Sequence, residues 1–154
     1  MKIVKFDDRI EYYNELGQLH REDGPARKWS DGTTFWYQNN KVHRLDGPAV
    51  EYPNGSKFWY QNGKLHRLDG PAVEQSNGDK FWYQNGKLHR LDGLAVELSK
   101  GNKFWYQNDQ LHRLDGPAIE YPNGYKEYWI RGCKYTELEF KFFSQAILGK
   151  YENS

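Results

Sequence analysis

The stretch DGPAVEYPNGSKFWYQNGKLHRL, from Asp46 to Leu68, returns almost unchanged one unit later as DGPAVEQSNGDKFWYQNGKLHRL. An aspartate and a histidine mark a period of 23 residues at Asp23, Asp46, Asp69, Asp92 and Asp115, and at His20, His43, His66, His89 and His112. A period in this range is typical of repeat proteins, whose units bury apolar surface against their neighbours rather than in one central core. The sequence therefore predicts an array of about six units.

Composition narrows the classes of partner. The chain has 154 residues, and its 22 basic and 21 acidic residues give a formal net charge of +1. This balance provides no global field that would attract nucleic acid or an anionic membrane. The longest apolar cluster, residues 146–148, is too short for a transmembrane helix or a signal sequence. The single cysteine, Cys133, is expected to be a free thiol, which is consistent with a reducing cytoplasm.

Each unit carries the signals of β-hairpins. Runs such as AVEY and KFWYQ are rich in β-branched and aromatic residues, and Asn-Gly pairs, which tolerate positive φ, follow them. Recurrent glycine and proline argue against a helix through the unit. A three-residue loop at residues 53–55 would place Val50 opposite Phe58 and Glu51 opposite Lys57. We prefer this register because it pairs an apolar residue with an apolar one and a charged residue with a charged one. A two-residue loop would place Glu51 opposite Phe58.

Strand alternation then divides the side chains of a unit between two faces. The first face carries Val50, Phe58 and two tyrosines, and a two-residue loop at Asn62-Gly63 adds Leu65 to it. The second face carries alanine, glutamate, lysine and tryptophan, and the same loop places His66 opposite Trp59. We therefore expect one apolar face and one amphipathic face. The LHRL segment is expected to be a short third strand or an extended connection.

Both ends of the array depart from the repeat. Residues 2–6 occupy the PAVEY positions, and we assign Tyr12 and Tyr13 to the Phe-Trp positions. Residues 127–130 stand where FWYQ is expected in the last unit. Atypical terminal units are expected because each has only one neighbour. The array is predicted to cover residues 1–135.

Residues 136–154 form a second predicted region, a C-terminal capping helix and tail. Thr136 and Glu139 have the spacing of a capping box, and Gly149 is a stop signal, so we expect a helix over about 136–148. Its apolar stripe consists of Phe140, Phe143 and Ile147, broadened by Leu138 and Phe142. We expect this stripe to cover the open end of the sheet. Docking to another protein is the alternative.

The repeated histidines and aspartates suggest chemistry, but their spacing argues against it. Equivalent residues of neighbouring hairpins lie about 10–14 Å apart, whereas metal ligands must each reach within about 2.1 Å of one ion. We therefore expect a structural histidine ladder and no metal site. A catalytic group should be singular and lie in a shaped pocket, so the DG aspartates are assigned a turn role, accepting backbone donors. Tyr135 replaces the histidine near Cys133, which argues against a cysteine nucleophile. No catalytic residue and no cofactor are predicted.

The tryptophan ladder is the sharpest functional candidate. Proteins that bind single-stranded nucleic acid combine such rings with a basic groove, but here a lysine column is offset by a glutamate column, which disfavours nucleic acid. Aromatic residues beside arginine are typical of protein interfaces, whereas rings packed between repeats would be core. Both interpretations stay open. The candidate partner-binding residues are Trp36, Trp59, Trp82, Trp105, His43, His66, His89, Arg44, Arg67, Arg90 and Arg113.

The motif NGKLHRLDGPAVEYPNGSKFWYQ resembles a divergent repeat of the MORN type, and the resemblance covers nearly nine-tenths of the chain. The HRxDGPA variety is similar to repeats in uncharacterised bacterial and bacteriophage proteins. The resemblance implies an all-β fold, with an elongated single-layer antiparallel sheet that serves as a scaffold or binding surface, and it implies no catalytic residues. MORN units usually carry glycine where this chain has Arg67 and Leu68, so the lipid binding attributed to some arrays is not carried over.

Two functions are considered. The first is a non-enzymatic protein-binding module, which we expect to be a phage-encoded accessory factor that binds and blocks a host or defence protein in the cytoplasm. The second is a module that sequesters a nucleotide or small anion between the arginine rows, which predicts a concave pocket where several arginines converge. Open sheet edges and tryptophan rows lead us to expect a monomer or a homodimer, without membrane insertion.

Overall fold

The computed structural model describes residues 1–151, with the backbone alone for residues 150 and 151. In chain order the elements are β1 (Lys2–Lys5), β2 (Arg9–Tyr13), β3 (Arg27–Trp29), β4 (Thr34–Phe35), β5 (Tyr37–Gln38), β6 (Lys41–Val42), β7 (Val50–Glu51), β8 (Lys57–Phe58), β9 (Tyr60–Gln61), β10 (Lys64–Leu65), β11 (Val73–Glu74), β12 (Lys80–Phe81), β13 (Tyr83–Gln84), β14 (Lys87–Leu88), β15 (Val96–Glu97), β16 (Lys103–Phe104), β17 (Tyr106–Gln107), β18 (Gln110–Leu111), β19 (Ile119–Glu120), β20 (Lys126–Ile130), β21 (Cys133–Tyr135) and α1 (Glu137–Tyr151).

One antiparallel sheet of thirteen strands runs through the array in the order β1-β2-β3-β4-β7-β8-β11-β12-β15-β16-β19-β20-β21. Each regular unit contributes two strands to it. The four remaining strand pairs, β5 with β6, β9 with β10, β13 with β14 and β17 with β18, are two-stranded ladders. The structure thus confirms the predicted all-β repeat fold with one C-terminal helix.

The predicted register of the first hairpin is confirmed. Val50 lies opposite Phe58 and Glu51 opposite Lys57. The backbone N–H of Tyr52 donates to the carbonyl of Ser56 at 3.0 Å, which closes a loop of three residues. Gly55 has a φ of 90° in this loop, a conformation that glycine adopts without steric cost.

The second hairpin also has its predicted two-residue loop, because Leu65 lies opposite Tyr60. The strand breaks at Trp59, which lies between β8 and β9. The N–H of Trp59 donates to Ala72 of the next unit at 2.8 Å, and the N–H of Arg67 donates to Tyr83 at 3.1 Å. Successive units are therefore hydrogen-bonded to each other through both of their hairpins.

The core consists of two thin columns of small and β-branched side chains. The alanine column is completely buried and comprises Ala26, Ala49, Ala72, Ala95 and Ala118. The second column, 4–6% exposed, comprises Val50, Val73, Val96 and Ile119. In the regular units each of these valines lies opposite a phenylalanine of the neighbouring strand. Burial is spread along the array, as expected of a repeat protein.

The assignment of Tyr12 and Tyr13 to the Phe-Trp positions is wrong by one residue. Tyr12 takes the tryptophan position, since its N–H donates to Ala26 as that of Trp59 donates to Ala72. The first loop of this unit has only two residues and closes between Phe6 and Arg9, whereas the second loop is longer than in regular units. These two changes in loop length cancel, so the period hides the shift.

The shift places Glu11 in the phenylalanine column, opposite Arg27 in the valine column. The carboxylate of Glu11 is 3% exposed and accepts hydrogen bonds from Nε of Arg9 at 2.9 Å, from Nε of Arg27 at 2.7 Å and from the hydroxyl of Tyr13. A buried ion pair therefore stands in the first unit where the regular units have an apolar pair.

The helix α1 covers the last strands of the sheet, as predicted. Phe140, 5% exposed, packs on Tyr128 with ring centroids 4.9 Å apart, and Phe143 packs on Tyr135 at 5.4 Å. The capping box is confirmed, because Glu139 accepts from the N–H of Thr136 at 2.8 Å.

Two details of the helix prediction are wrong. The helix continues through Gly149 to Tyr151, beyond the expected stop. Leu138 and Phe142 are 81% and 71% exposed, so they do not broaden the face that packs on the sheet. Ser144, 5% exposed, lies on that face instead.

Candidate functional site

The arginine of each HRLDG segment lies over the tryptophan of its own unit. Cζ of Arg67 is 4.1 Å from the ring centroid of Trp59. The equivalent pairs are Arg44 with Trp36 at 3.9 Å, Arg90 with Trp82 at 4.5 Å and Arg113 with Trp105 at 4.0 Å. A cation in this position is attracted by the ring quadrupole. All four tryptophans are half-buried, so they are neither free surface rings nor core.

Hydrogen bonds hold each arginine in this position. Nε of Arg67 donates to Asp69 at 3.0 Å, and Nη1 donates to the carbonyl of Pro71 at 3.2 Å and to Glu74 at 3.1 Å. The same carbonyl contact occurs at Leu94, which replaces the proline of its unit. The main partner of each DG aspartate is the arginine two residues earlier, a side-chain contact that the assigned turn role does not include.

The glycine of the DG pair leaves room for the guanidinium group. A Cβ added at Gly70 would lie 2.9 Å from Cζ of Arg67, which is closer than carbon atoms pack. A Cβ at the equivalent glycines would lie 2.9–3.0 Å from Cζ of the arginine three residues earlier; these glycines are Gly24, Gly47, Gly93 and Gly116. The glycine therefore allows the guanidinium group to lie close to the backbone, and its φ is outside the left-handed region. The HRLDG motif is a unit in which arginine, aspartate, glycine and tryptophan fit together.

Gly70→Ala is expected to lower the free energy of unfolding by about 1–2 kcal/mol, because the new methyl group moves Arg67 away from Trp59 and from its acceptors. Urea denaturation measures the change. In the Arg67→Ala background, the same glycine substitution should cost much less, since the displaced group is absent. Equal costs in the two backgrounds would show that Gly70 has another role.

The histidines form the predicted structural ladder. Nδ1 of His66 accepts the backbone N–H of Asn85, in the next unit, at 3.1 Å. The equivalent bonds, at 3.0–3.2 Å, join His20 to Asn39, His43 to Asn62, His89 to Asn108 and His112 to Arg131. Each histidine therefore links its unit to the turn of the following one. An accepting Nδ1 leaves the proton of the neutral ring on Nε2.

Stability should fall in two steps as the pH is lowered. Burial and the charge of Arg131 lower the pKa of His112, so the unfolded chain binds the proton more readily, and stability is lost as the pH falls below about 6.5. Hydrogen bonds from arginine lower the carboxyl pKa values of Asp46 and Asp69. Their contribution is present above about pH 4 and is lost below it.

Thermal melting as a function of pH measures both steps. His112→Gln keeps a hydrogen-bond acceptor and removes the titrating ring, so it should reduce the first step and leave the second unchanged. A Tm that rises as the pH falls from about 6.5 to about 5 would contradict the sign derived from the lowered pKa of His112.

A row of exposed leucines is the feature that the sequence interpretation missed. Leu45, Leu68 and Leu91 occupy one position of three successive units and are 74%, 74% and 75% exposed. The fourth member, Leu114, is half-buried and lines a cleft together with Ile147 of α1. The sequence signal for this row is the leucine that recurs in each HRLDG segment. The segment lies outside the regular strands, so strand alternation does not show whether this side chain is exposed.

Clefts separate adjacent HRLDG segments. One cleft of about 490 Å³ lies between the segments that contain Leu45 and Leu68, and Trp59 and His66 line it. Another of about 510 Å³ lies between those that contain Leu91 and Leu114, and Trp105 and His112 line it. We call the exposed leucines together with the tryptophans at equivalent positions of the regular units the Leu–Trp row: Leu45, Trp59, Leu68, Trp82, Leu91 and Trp105.

The clefts bring arginines together, but in a nearly neutral setting. Arg44 and Arg67 both line the first cleft, and so do Asp46 and Asp69. Each of these arginines donates to the aspartate of its own segment, at 2.8 and 3.0 Å. The positive charge available to an anionic ligand is therefore offset within the cleft.

Seven of the predicted partner-binding residues line these two clefts: Trp59, Trp105, His66, Arg44, Arg67, Arg90 and Arg113. The other four, Trp36, Trp82, His43 and His89, line neither cleft. Within residues 1–149, no group of three or more His, Cys, Asp or Glu side chains is arranged to hold a metal ion. Cys133 is exposed in β21.

Comparisons with known proteins do not assign the chain to a family. No protein-family model matches the chain, and a search of curated proteins finds no significant match either. In the part of the chain that the structure describes, no helix is both long enough and apolar enough to cross a bilayer.

Proposed function

We propose that this chain is a non-enzymatic protein-binding module and that its partner binds along the Leu–Trp row. The observation that carries the proposal is the exposure of Leu45, Leu68 and Leu91, three-quarters of each side chain, at equivalent positions of successive units. Single exposed leucines are ordinary, but aligned apolar side chains beside half-buried rings have the composition of an interface centre.

The proposal extends to the class and setting of the protein. It takes the repeats to be of the MORN type and the chain to be a phage-encoded accessory factor, a monomer or homodimer, that binds and blocks a host or defence protein in the host cytoplasm. The motif HRLDGPA supports the class. The offset of Arg44 and Arg67 by aspartates favours a protein partner over the alternative, sequestration of a nucleotide or small anion between the arginine rows.

A matched pair of variants tests the proposed surface. The triple variant Leu45→Asp, Leu68→Asp, Leu91→Asp places three charges in the row. The control Leu16→Asp, Tyr125→Asp, Leu138→Asp makes the same change of charge at residues that are 81%, 54% and 81% exposed elsewhere. All six sites are exposed, so both variants should keep the wild-type Tm.

The two variants and the wild type are compared as baits in extracts of the native host, with mass spectrometry of the captured proteins. A protein held by the wild type and by the control but lost from the row variant supports the proposal. Loss from the control alone would place the binding surface elsewhere, with α1 as the first candidate.

A further inference from the structure

We propose that the Leu–Trp row binds a proline-rich segment in the polyproline II conformation, with a proline at every third residue. This inference rests on the proposed function and adds to it the conformation and chemistry of the bound segment. It is carried by the spacing of the clefts, by the residues that line them and by the hydrogen-bond donors left free there.

The spacing of the row matches the pitch of a polyproline II helix. Each regular unit contributes two strands to the sheet, so equivalent side chains repeat at about 9.6 Å. A polyproline II helix has three residues per turn and rises about 9.3 Å in that turn. Between equivalent positions two units apart, the two periods differ by only about 0.6 Å. Every third residue of such a segment would therefore face the same position of successive units.

Other regular conformations match the row less well. Seven residues of an α-helix rise about 10.5 Å, so a helix drifts from the row by about 1.8 Å between positions two units apart. Side chains on one face of a β-strand repeat at about 6.7 Å and fall between the clefts. The spacing therefore favours polyproline II over a helix or a strand.

The lining of the clefts is suited to proline rings. Trp59 lies in the cleft between Leu45 and Leu68, and Trp105 lies in the cleft between Leu91 and Leu114. Aromatic-lined grooves bind proline-rich segments because the polyproline II helix is formed before binding and loses little entropy. The arginine that packs on each tryptophan holds the ring in place before any ligand arrives, which reduces the entropic cost further.

The row also offers hydrogen-bond donors, which a polyproline II backbone requires. Its carbonyls have no internal partners. Among the described residues, the indole N–H groups of Trp59, Trp82 and Trp105 donate to no other group, whereas that of Trp129 donates to Glu127 at 2.9 Å. His112 lines the second cleft, and because its Nδ1 atom accepts the backbone N–H of Arg131, its Nε2 proton is a donor.

A fluorescein-labelled peptide of about twelve prolines, long enough to span three repeat units, is the probe. Its fluorescence anisotropy is measured with the full chain, beside a Gly-Ser peptide of equal length and a helical peptide with leucine at every seventh residue. The polyproline peptide should bind saturably and most tightly of the three. Leu68→Asp with Leu91→Asp should weaken its binding about 30-fold.

A second variant separates the donor from the ring. Trp82→Phe keeps an aromatic ring beneath Arg90 and removes the indole N–H, so it should weaken polyproline binding several-fold with little change in Tm. Equal binding of the polyproline and Gly-Ser peptides, or tighter binding of the helical peptide, would overturn the inference. If the row variant then still loses the host protein, the proposed function stands and only the conformation of the bound segment is wrong.

Discussion

Val73→Asp is expected to lower the free energy of unfolding by about 4 kcal/mol, the largest effect of any single substitution considered. Val73 is 4% exposed and lies between Phe58 on one neighbouring strand and Phe81 on the other. A carboxylate in that position has no cationic partner. The whole free-energy cost of removing it from water therefore reduces the free energy of unfolding. Because whole-domain stabilities are about 5–15 kcal/mol, the variant is expected to be largely unfolded in moderate urea.

Equilibrium unfolding in urea, followed by tryptophan fluorescence, measures this effect. The control Val73→Ala removes two methyl groups without adding a charge and should cost about 2 kcal/mol. Glu74→Ala, at the adjacent position and half-buried, should have a smaller effect than either. If Val73→Asp unfolded at the wild-type urea concentration, the valine column would not be the core of the array.

Glu11→Ala is expected to lower the free energy of unfolding by about 3 kcal/mol, because it leaves Arg9 and Arg27 without their shared buried carboxylate. Both arginine side chains keep some contact with water, at 27% and 25% exposure, which places the cost at the lower end for a broken buried pair. Glu22→Ala, at a site that is 85% exposed, is the control and should change stability little.

A double variant tests the structural reason for this effect. Glu11→Phe with Arg27→Val restores the apolar pair that the regular units have at these positions, and it should be at least as stable as the wild type, because well-packed apolar residues often replace buried ion pairs without loss. A double variant as unstable as Glu11→Ala would show that the ion pair is specifically required to end the sheet.

The sequence predicts the regular part of the fold well because the turns determine it. A two-residue loop at Asn62-Gly63 places Leu65 opposite Tyr60, and a three-residue loop at residues 53–55, chosen for the side chains that it pairs, places Val50 opposite Phe58. The first unit shows the limit of this reasoning. One loop shorter by a residue and one longer leave the period unchanged, and Glu11 then takes the phenylalanine position without any visible break.

The candidate site is harder to predict because it lies outside the regular strands. Strand alternation has no meaning in HRLDG, so the sequence does not show that Arg67 lies over Trp59 or that Leu68 faces solvent. The role of Gly70 likewise depends on a contact with a side chain three residues earlier. In α1, Phe140 and Phe143 pack on the sheet as predicted, but the sequence does not show that Leu138 and Phe142 lie outside the packed face.

These contacts give the surface a simple physical basis. The repeat uses arginine, aspartate, glycine and histidine to fix each tryptophan and to join each unit to the next. The leucine of HRLDG takes no part in these hydrogen bonds and cation–π contacts, and Leu68 is 74% exposed. A rigid row with regular spacing is suited to a partner that repeats at the same distance, and little ordering is required on binding.

Site-specific photo-crosslinking shows directly whether the Leu–Trp row is the binding surface. A photoreactive phenylalanine analogue is placed at position 68 in one protein and at position 125, 54% exposed on a turn of the last unit, in another. Each is irradiated with the host protein that the row variant fails to capture. We expect a covalent adduct from position 68 and none from position 125. An adduct from position 125 alone would contradict this expectation and would move the binding surface to the end of the array.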